Sequence, residues 1–334
     1  MKLQHKNKII ITTGDVDGVG FEVTVKALLW AKRKLSNFDI IVFHNSRPTD
    51  PFLKMLNGNF IAHNLSGESE LIALCRHEDN DSLEGRLYLI KDSRNPTHWV
   101  EDAAKFCMKH SLSSGLVTGP LSKQTIWQSG LRDVGHTGIL KRLTRCSVVN
   151  MGFLGSRFNV VLATDHIPLG EVKKFLRPTD LFAALKNAST LTAILPKRVS
   201  HLPIGVLGLN PHSGDGGLIG QEEREIILPV IEKFNREQKF GVLAVGPLVP
   251  DAAFLKTQLK KFSLFLAMYH DQGLIPFKSI HGQSGTHITL GIPFVRTSVD
   301  HGTAKDIFNK NQANFKSMYD SITWCMTLLK RRAK

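Results

Sequence analysis

Residues 159–166 read NVVLATDH and end on His166, residues 204–212 read IGVLGLNPH and end on His212, and residues 264–270 read LFLAMYH and end on His270. Short runs rich in Val, Leu and Ile, separated by helical segments, predict buried parallel strands whose C-terminal ends open on one crevice. Ligands and catalytic groups of α/β folds collect at such ends. Three neutral imidazoles suit Zn²⁺, Co²⁺ or a similar borderline cation and leave coordination positions open, as a catalytic site requires. A single histidine at a strand end can equally cap the strand or bond to backbone. Recurrence at three equivalent places is what points to a metal.

Outward from these runs the same alternation continues. Strands are predicted at KIIITT (8–13), FDIIVFH (38–44), RLYLI (86–90), GLVTG (115–119) and SVVNMGFL (147–154), with a helix from Glu22 to about Leu35. Amphipathic stretches at 98–110, 123–131 and 222–234 supply further helices, the last opening with acidic residues that suit a helix N-terminus. Pro229 inside it predicts a bend. The expectation is an α/β protein, with no internal repeat and no Pro- or Ser-rich tether between domains.

The chain has 334 residues, 42% of them hydrophobic, enough for a large core and ordinarily for two domains. No apolar run approaches the roughly 18 residues of a membrane helix, and MKLQHKNKIIITTG has too short an apolar stretch for a signal peptide, so a cytoplasmic protein without a membrane partner is expected. Cys75, Cys107, Cys146 and Cys325 are scattered, without metal or redox spacing, and read as reduced and structural. Lys and Arg number 43 against 29 Asp and Glu, a net charge of +14 that suits nucleic acid, anionic surfaces or phosphorylated metabolites. The charge is dispersed except at Lys330, Arg331, Arg332 and Lys334, which read as a solvated helix end, and no nucleic-acid-binding signature accompanies it.

The loop Thr13 to Glu22, TGDVDGVGFE, joins a strand to a helix with three glycines. Such a loop lets backbone amides approach an anion, although its spacing is neither the Rossmann nor the P-loop pattern, and a tight turn alone would also explain it. Together with VTGPLSKQ, GHTG, LATDHIPL, GLNPHSGDGGLIGQEE, GPLVPDAAF, MYHDQGLIPFK and ITLGIPFVRTSVDHGTA, in that order, the chain resembles the 4-hydroxythreonine-4-phosphate dehydrogenase family of pyridoxal phosphate biosynthesis. The resemblance implies a two-domain fold like that of isocitrate and isopropylmalate dehydrogenases, with mostly parallel sheets flanked by helices and the active site in the interdomain cleft. Residues 1–135 and 285–334 would form the cofactor side, and 136–284 the metal, substrate and dimerisation domain.

By the same resemblance His166, His212 and His270 bind one divalent ion (Zn, Mg or Co) at a homodimer interface, with His270 the ligand expected from the neighbouring subunit. His136, Thr137, Lys278, His287 and Arg296 would contact the phosphorylated substrate, a set whose planar fork, point charge and hydroxyl suit phosphate and carboxylate. Asp251 is the implied acid near the site, with a helix cap as the plainer alternative. Asp300, His301, Gly302 and Thr303 would hold NAD or NADP beside the glycine loop. The implied reaction is oxidation of 4-phosphooxy-L-threonine at C3, with a metal-acidified hydroxyl, then decarboxylation to 3-amino-2-oxopropyl phosphate. Four positions depart from the family pattern: His287 in place of Asn, Gly138 in place of Glu, and Thr13 and Phe21 in place of prolines. They keep open a sister dehydrogenase of threonate or erythronate 4-phosphate, and more remotely a basic polyanion-binding protein without catalysis.

Overall fold

In the computed structural model, residues 6–47, 49–65, 86–237, 241–282 and 284–332 are described. Cys75 lies outside them, while Cys107, Cys146 and Cys325 are free thiols. Burial pushes the Cys107 thiol up to about 12, so it is inert packing. The chain divides into two units, residues 1–146 with 292–334, and residues 147–291.

The first unit is built on parallel strands β1 (Asn7–Thr12), β2 (Phe38–His44), β3 (Ala62–Leu65), β4 (Leu87–Lys91), β5 (Ser114–Thr118) and β12 (Val295–Ser298), in the order β3-β4-β2-β1-β5-β12. Helices Gly20–Ala31, Pro96–Lys109, Gly135–Thr144 and Lys316–Arg332 belong to it. Helix Pro96–Lys109 starts where it does because Asn95 Oδ1 accepts from Thr97 N at 2.9 Å and proline occupies the first turn. Its buried Trp99 packs with Phe43, Ile10, Leu116, Ile139 and Leu140 in one core. Ile139 and Leu140 are the reason that helix Gly135–Thr144, with His136 and Thr137, belongs to this unit and not to the expected 136–284 domain.

The second unit contains β6 (Asn150–Leu154), β7 (Asn159–Leu162), β8 (Ile204–Leu207), β9 (Ala244–Leu248), β10 (Leu264–Ala267) and β11 (Thr286–Leu290), in the order β11-β6-β7-β10-β8-β9. β11 pairs antiparallel with β6, which carries His287 into this unit although residue 285 was the expected boundary. β7, β10, β8 and β9 run parallel, so the three histidine-ending runs lie side by side and point the same way. Phe153, Phe158, Phe265 and Phe277 form the core beneath them.

Pro229 lies at a change of helix type. It cannot donate to the turn before it, and the preceding residues Glu223–Ile227 form a π-helical turn before the α-helix Leu228–Glu237 begins. The C-terminal basic cluster differs from the solvated end expected of it. Arg332 is half-buried and donates to Pro293 O, and Lys330 lies over the Phe38 ring at 5.2 Å. Lys334 lies outside the described residues.

Candidate active site

In the second unit, the ends of β7 and β10 bring His166 and His270 together, with ring centroids 5.2 Å apart. His270 Nδ1 pairs with Asp271 Oδ1 at 2.6 Å. This arrangement fixes the ring and leaves Nε2 outward, the usual support of a metal-bound imidazole. Two histidines so placed, one carboxylate-oriented, are a donor set that fits a borderline divalent ion. Both rings of this contact belong to one chain.

His212 does not join them. Among the described residues no three His, Cys, Asp or Glu side chains gather into a metal-sized group. His212 is exposed and opens a left-handed stretch of backbone, with φ of 52° at His212, 52° at Ser213, 78° at Gly214, 43° at Asp215, 67° at Gly216 and 104° at Gly217. Left-handed backbone costs a residue with a side chain roughly 1–2 kcal/mol, so a stretch including His212, Ser213 and Asp215 persists only if the surroundings hold it.

Other expected residues of this unit are dispersed in character. Lys278 is exposed on helix His270–His281. His287 is buried in β11, its ring 5.3 Å from that of Phe153, its register partner on β6. Asp251 is exposed in the first turn of the short helix Pro250–Ala253, whose N-cap is Val249, so Asp251 is not the cap.

In the first unit, β12 delivers Arg296, which is 1% exposed and donates from Nη2 to Thr118 Oγ1 at 2.6 Å. Burial pulls its guanidinium down to about 9. It remains cationic at pH 7, and an anion bound here would raise it again. His136 is near enough to feel that charge, and burial together with Arg296 holds the imidazole well below its ordinary range, hence neutral at pH 7. Its buried Nε2 finds no hydrogen-bond partner among the described residues. A shielded ring nitrogen of this kind is available to a ligand. Thr137 is half-buried beside it at the start of helix Gly135–Thr144. At Gly138 an added Cβ would stand 3.2 Å from Asp133 Cβ, pressing on a carboxylate that Arg142 holds at 2.9 Å.

The glycine loop and the 300–303 segment meet in this unit. Val19 N donates to Thr303 O at 3.0 Å, and Lys305 Nζ pairs with Asp17 at 2.8 Å and lies 3.4 Å from Asp15. Two of the glycines are needed for packing: a Cβ on Gly14, where φ is +83°, would fall 2.0 Å from Pro120 O, and one on Gly20 would fall 1.6 Å from Thr13 O. A cavity of about 560 Å³ is lined by Thr13, Asp15, Phe21, Glu22, Phe308 and Asn309, among others. Asp300 N donates to Ser317 Oγ at 3.0 Å, and His301 Nδ1 lies 2.8 Å from Gly302 O. Among the described residues the helical turn next to Thr303 is the three-residue 3₁₀ turn Lys305–Ile307, so the segment does not serve to cap a long helix.

Sequence reasoning assigned no role to Thr118, Asp271, Lys305, Glu223 or Gln272. Asp271, Glu223 and Gln272 stand inside motifs already singled out, MYHDQG and GQEE. Thr118 and Lys305 carry no local signal, because their partners are 178 and 288 residues away.

The fold is similar to that of dehydrogenases among solved structures. A 4-hydroxythreonine-4-phosphate dehydrogenase from Klebsiella pneumoniae superposes with a TM-score of 0.76 at 25% identity, covering 97% of this chain and 99% of that one. One from Burkholderia phymatum gives 0.75 at 27% identity, covering 97% and 99%. The family model described as Pyridoxal phosphate biosynthetic protein PdxA matches residues 91–325. A 4-hydroxythreonine-4-phosphate dehydrogenase from Sulfurihydrogenibium sp. is 31% identical over 98% of this chain and 99% of its own length. The chain belongs to the PdxA family. A further relative, named D-threonate 4-phosphate dehydrogenase, from Bordetella bronchiseptica, is 31% identical over 93% of this chain and 89% of its own length.

Proposed function

We propose that the chain is a metal-dependent, NAD(P)-linked dehydrogenase that oxidises 4-phosphooxy-L-threonine at C3, with subsequent decarboxylation to 3-amino-2-oxopropyl phosphate. The observation that carries this reading is the His166–His270 pair, formed at adjacent strand ends in a chain of this family. His166 and His270 would hold the cation, with His212 as third ligand. A homodimer would complete this three-histidine site, one of its ligands coming from the neighbouring subunit. Leu218, Ile219, Val245, Val249 and Leu255, all exposed apolar residues of the second unit, supply the surface a homodimer would cover.

The chemistry supplied by such groups is Lewis-acid acidification of the C3 hydroxyl and acceptance of the C3 hydride. The chain's own residues bind and orient. Arg296, kept buried and seated by Thr118, gives a planar fork to a carboxylate or phosphate, while Lys278 gives a point charge. Neutral His136 and the Thr137 hydroxyl add contacts that need no proton to be gained first. Asp251 is the proposed proton acceptor, and His287 a substrate contact. Asp300, His301, Gly302 and Thr303, with the glycine loop and the adjoining cavity, would bind the dinucleotide. A localisation in the cytoplasm fits the reading, and no helix among the described residues is long and apolar enough to cross a membrane.

The Bordetella relative favours one second reading, oxidation of a sugar acid 4-phosphate without an amino group. A substrate panel separates the two: NAD and NADP reduction measured on 4-phosphooxythreonine, threonate 4-phosphate and erythronate 4-phosphate, with Zn²⁺, Mg²⁺ or Co²⁺. Preference for the amino substrate supports the proposal, and strong preference for a substrate lacking the amine overturns it.

A further inference from the structure

The three histidine-bearing segments of the second unit are stitched together by hydrogen bonds. Thr164, two residues before His166, donates from N at 3.2 Å and from Oγ1 at 2.7 Å to Met268 O. Met268, two residues before His270, donates from N to Gln272 Oε1 at 2.6 Å. Gln272 Nε2 then donates to Gly208 O at 2.7 Å, at the start of the segment that leads to His212. Gln272 is buried, and both ends of its amide are used on backbone. A neutral amide supplies the donor and the acceptor that these two contacts need.

Beyond Gly208 a second buried side chain takes over. Glu223 Oε1 accepts from Leu209 N and Asn210 N, each at 2.7 Å, and Oε2 accepts from Asn210 Nδ2 at 2.8 Å. Asn210 Nδ2 also reaches Glu222 Oε2 at 2.8 Å, and Lys173 pairs with Glu222 at 2.6 Å. Glu223 opens the π-helical turn that precedes Pro229. Packing around the left-handed turn is close: a Cβ on Gly208 would meet Ser213 Oγ at 2.7 Å, and one on Gly214 would meet Glu223 Oε2 at 2.8 Å.

We infer that Gln272 and Glu223 are positioning residues of the metal site. Gln272 locks the strand ends bearing His166 and His270 to the root of the His212 turn, and Glu223 holds that turn left-handed so that His212 projects at one defined place. This assignment rests on the metal reading proposed above. Supporting side chains of this kind change metal affinity without touching the ion.

The test uses Co²⁺ added to metal-free, full-length protein, followed by calorimetry and by the visible absorption of the bound ion. Gln272→Met keeps the volume and removes both hydrogen bonds, Glu223→Ala removes all three, and Glu223→Gln retains an oxygen for the two backbone amides. Co²⁺ affinity is expected to fall about 10–100-fold in Gln272→Met and Glu223→Ala, with an altered absorption envelope. Glu223→Gln is expected to restore near-native affinity and spectrum. If Gln272→Met and Glu223→Ala unfold cooperatively yet bind Co²⁺ as the native protein does, the assignment is overturned while the metal reading stands. Native protein that binds no Co²⁺ overturns both. Should a variant fail to fold, hydrogen exchange on the native protein decides: the amides of Leu209, Asn210 and Met268 are expected to exchange as slowly as those of β8. Exchange at the rate of exposed loop amides contradicts the assignment.

Discussion

The rings of His166 and His270 lie 5.2 Å apart in a single chain, one beyond β7 and the other beyond its parallel neighbour β10. Asp271 holds His270 Nδ1 at 2.6 Å, which commits the other ring nitrogen to whatever the pair binds. Asp271→Asn is therefore expected to weaken divalent-ion binding by about tenfold or more, and His166→Ala to remove it, both read by calorimetry with Zn²⁺ or Co²⁺. Unchanged affinity in Asp271→Asn would mean that the carboxylate does not orient the ring.

Arg296 should act on substrate binding more than on the metal. A charge-assisted hydrogen bond contributes about 1.5–3 kcal/mol, so Arg296→Met is expected to raise substrate KM by about 10–100-fold with metal affinity unchanged. Thr118→Val, which removes the acceptor 2.6 Å from Nη2, should move KM in the same direction by less. A large fall in kcat at constant KM would contradict this role.

Acid should destabilise the first unit through His44. The ring is buried, stacked on Phe21 with centroids 5.2 Å apart, and accepts from Ser46 N at 3.1 Å. Burial, aided by the charge of Lys91, lowers it from 6.5 to about 4. In the window from pH 6.5 down to 4 the unfolded chain takes up a proton that the folded one refuses, so stability rises with pH there and falls on acidification. The shift corresponds to about 3 kcal/mol across that window. Denaturant unfolding of His44→Phe between pH 4 and 7 is expected to show a shallower pH slope than the native protein, and an identical slope would exclude His44 as the source.

Lys305 joins the 300–303 segment to the glycine loop through Asp17 at 2.8 Å. Lys305→Met is expected to raise KM for the dinucleotide while leaving divalent-ion affinity at the native value. A shift confined to substrate KM would remove the loop pair from the cofactor site.

Much of this was legible in the residues. The apolar runs at 159–162, 204–207 and 264–267 became neighbouring parallel strands, because continuous Val, Leu and Ile are stable only where both faces of a sheet are covered. Their order β7-β10-β8, not the order in sequence, is what seats His166 beside His270. That order depends on crossovers that no local pattern encodes. The domain boundaries moved for a similar reason. Ile139 and Leu140 pack with Trp99, and β11 pairs with β6, and both are contacts of long sequence separation. The left-handed turn after Asn210 was foreshadowed only by its glycines, since nothing in the residues themselves says that Glu223 lies beneath it.

Anomalous diffraction from crystals grown with Zn²⁺ tests the central claim most directly. The account predicts one peak per site, about 2.0–2.1 Å from ring nitrogens of His166, His212 and His270, one of the three contributed by a second copy. A peak elsewhere, or none at these histidines in fully loaded protein, would contradict it.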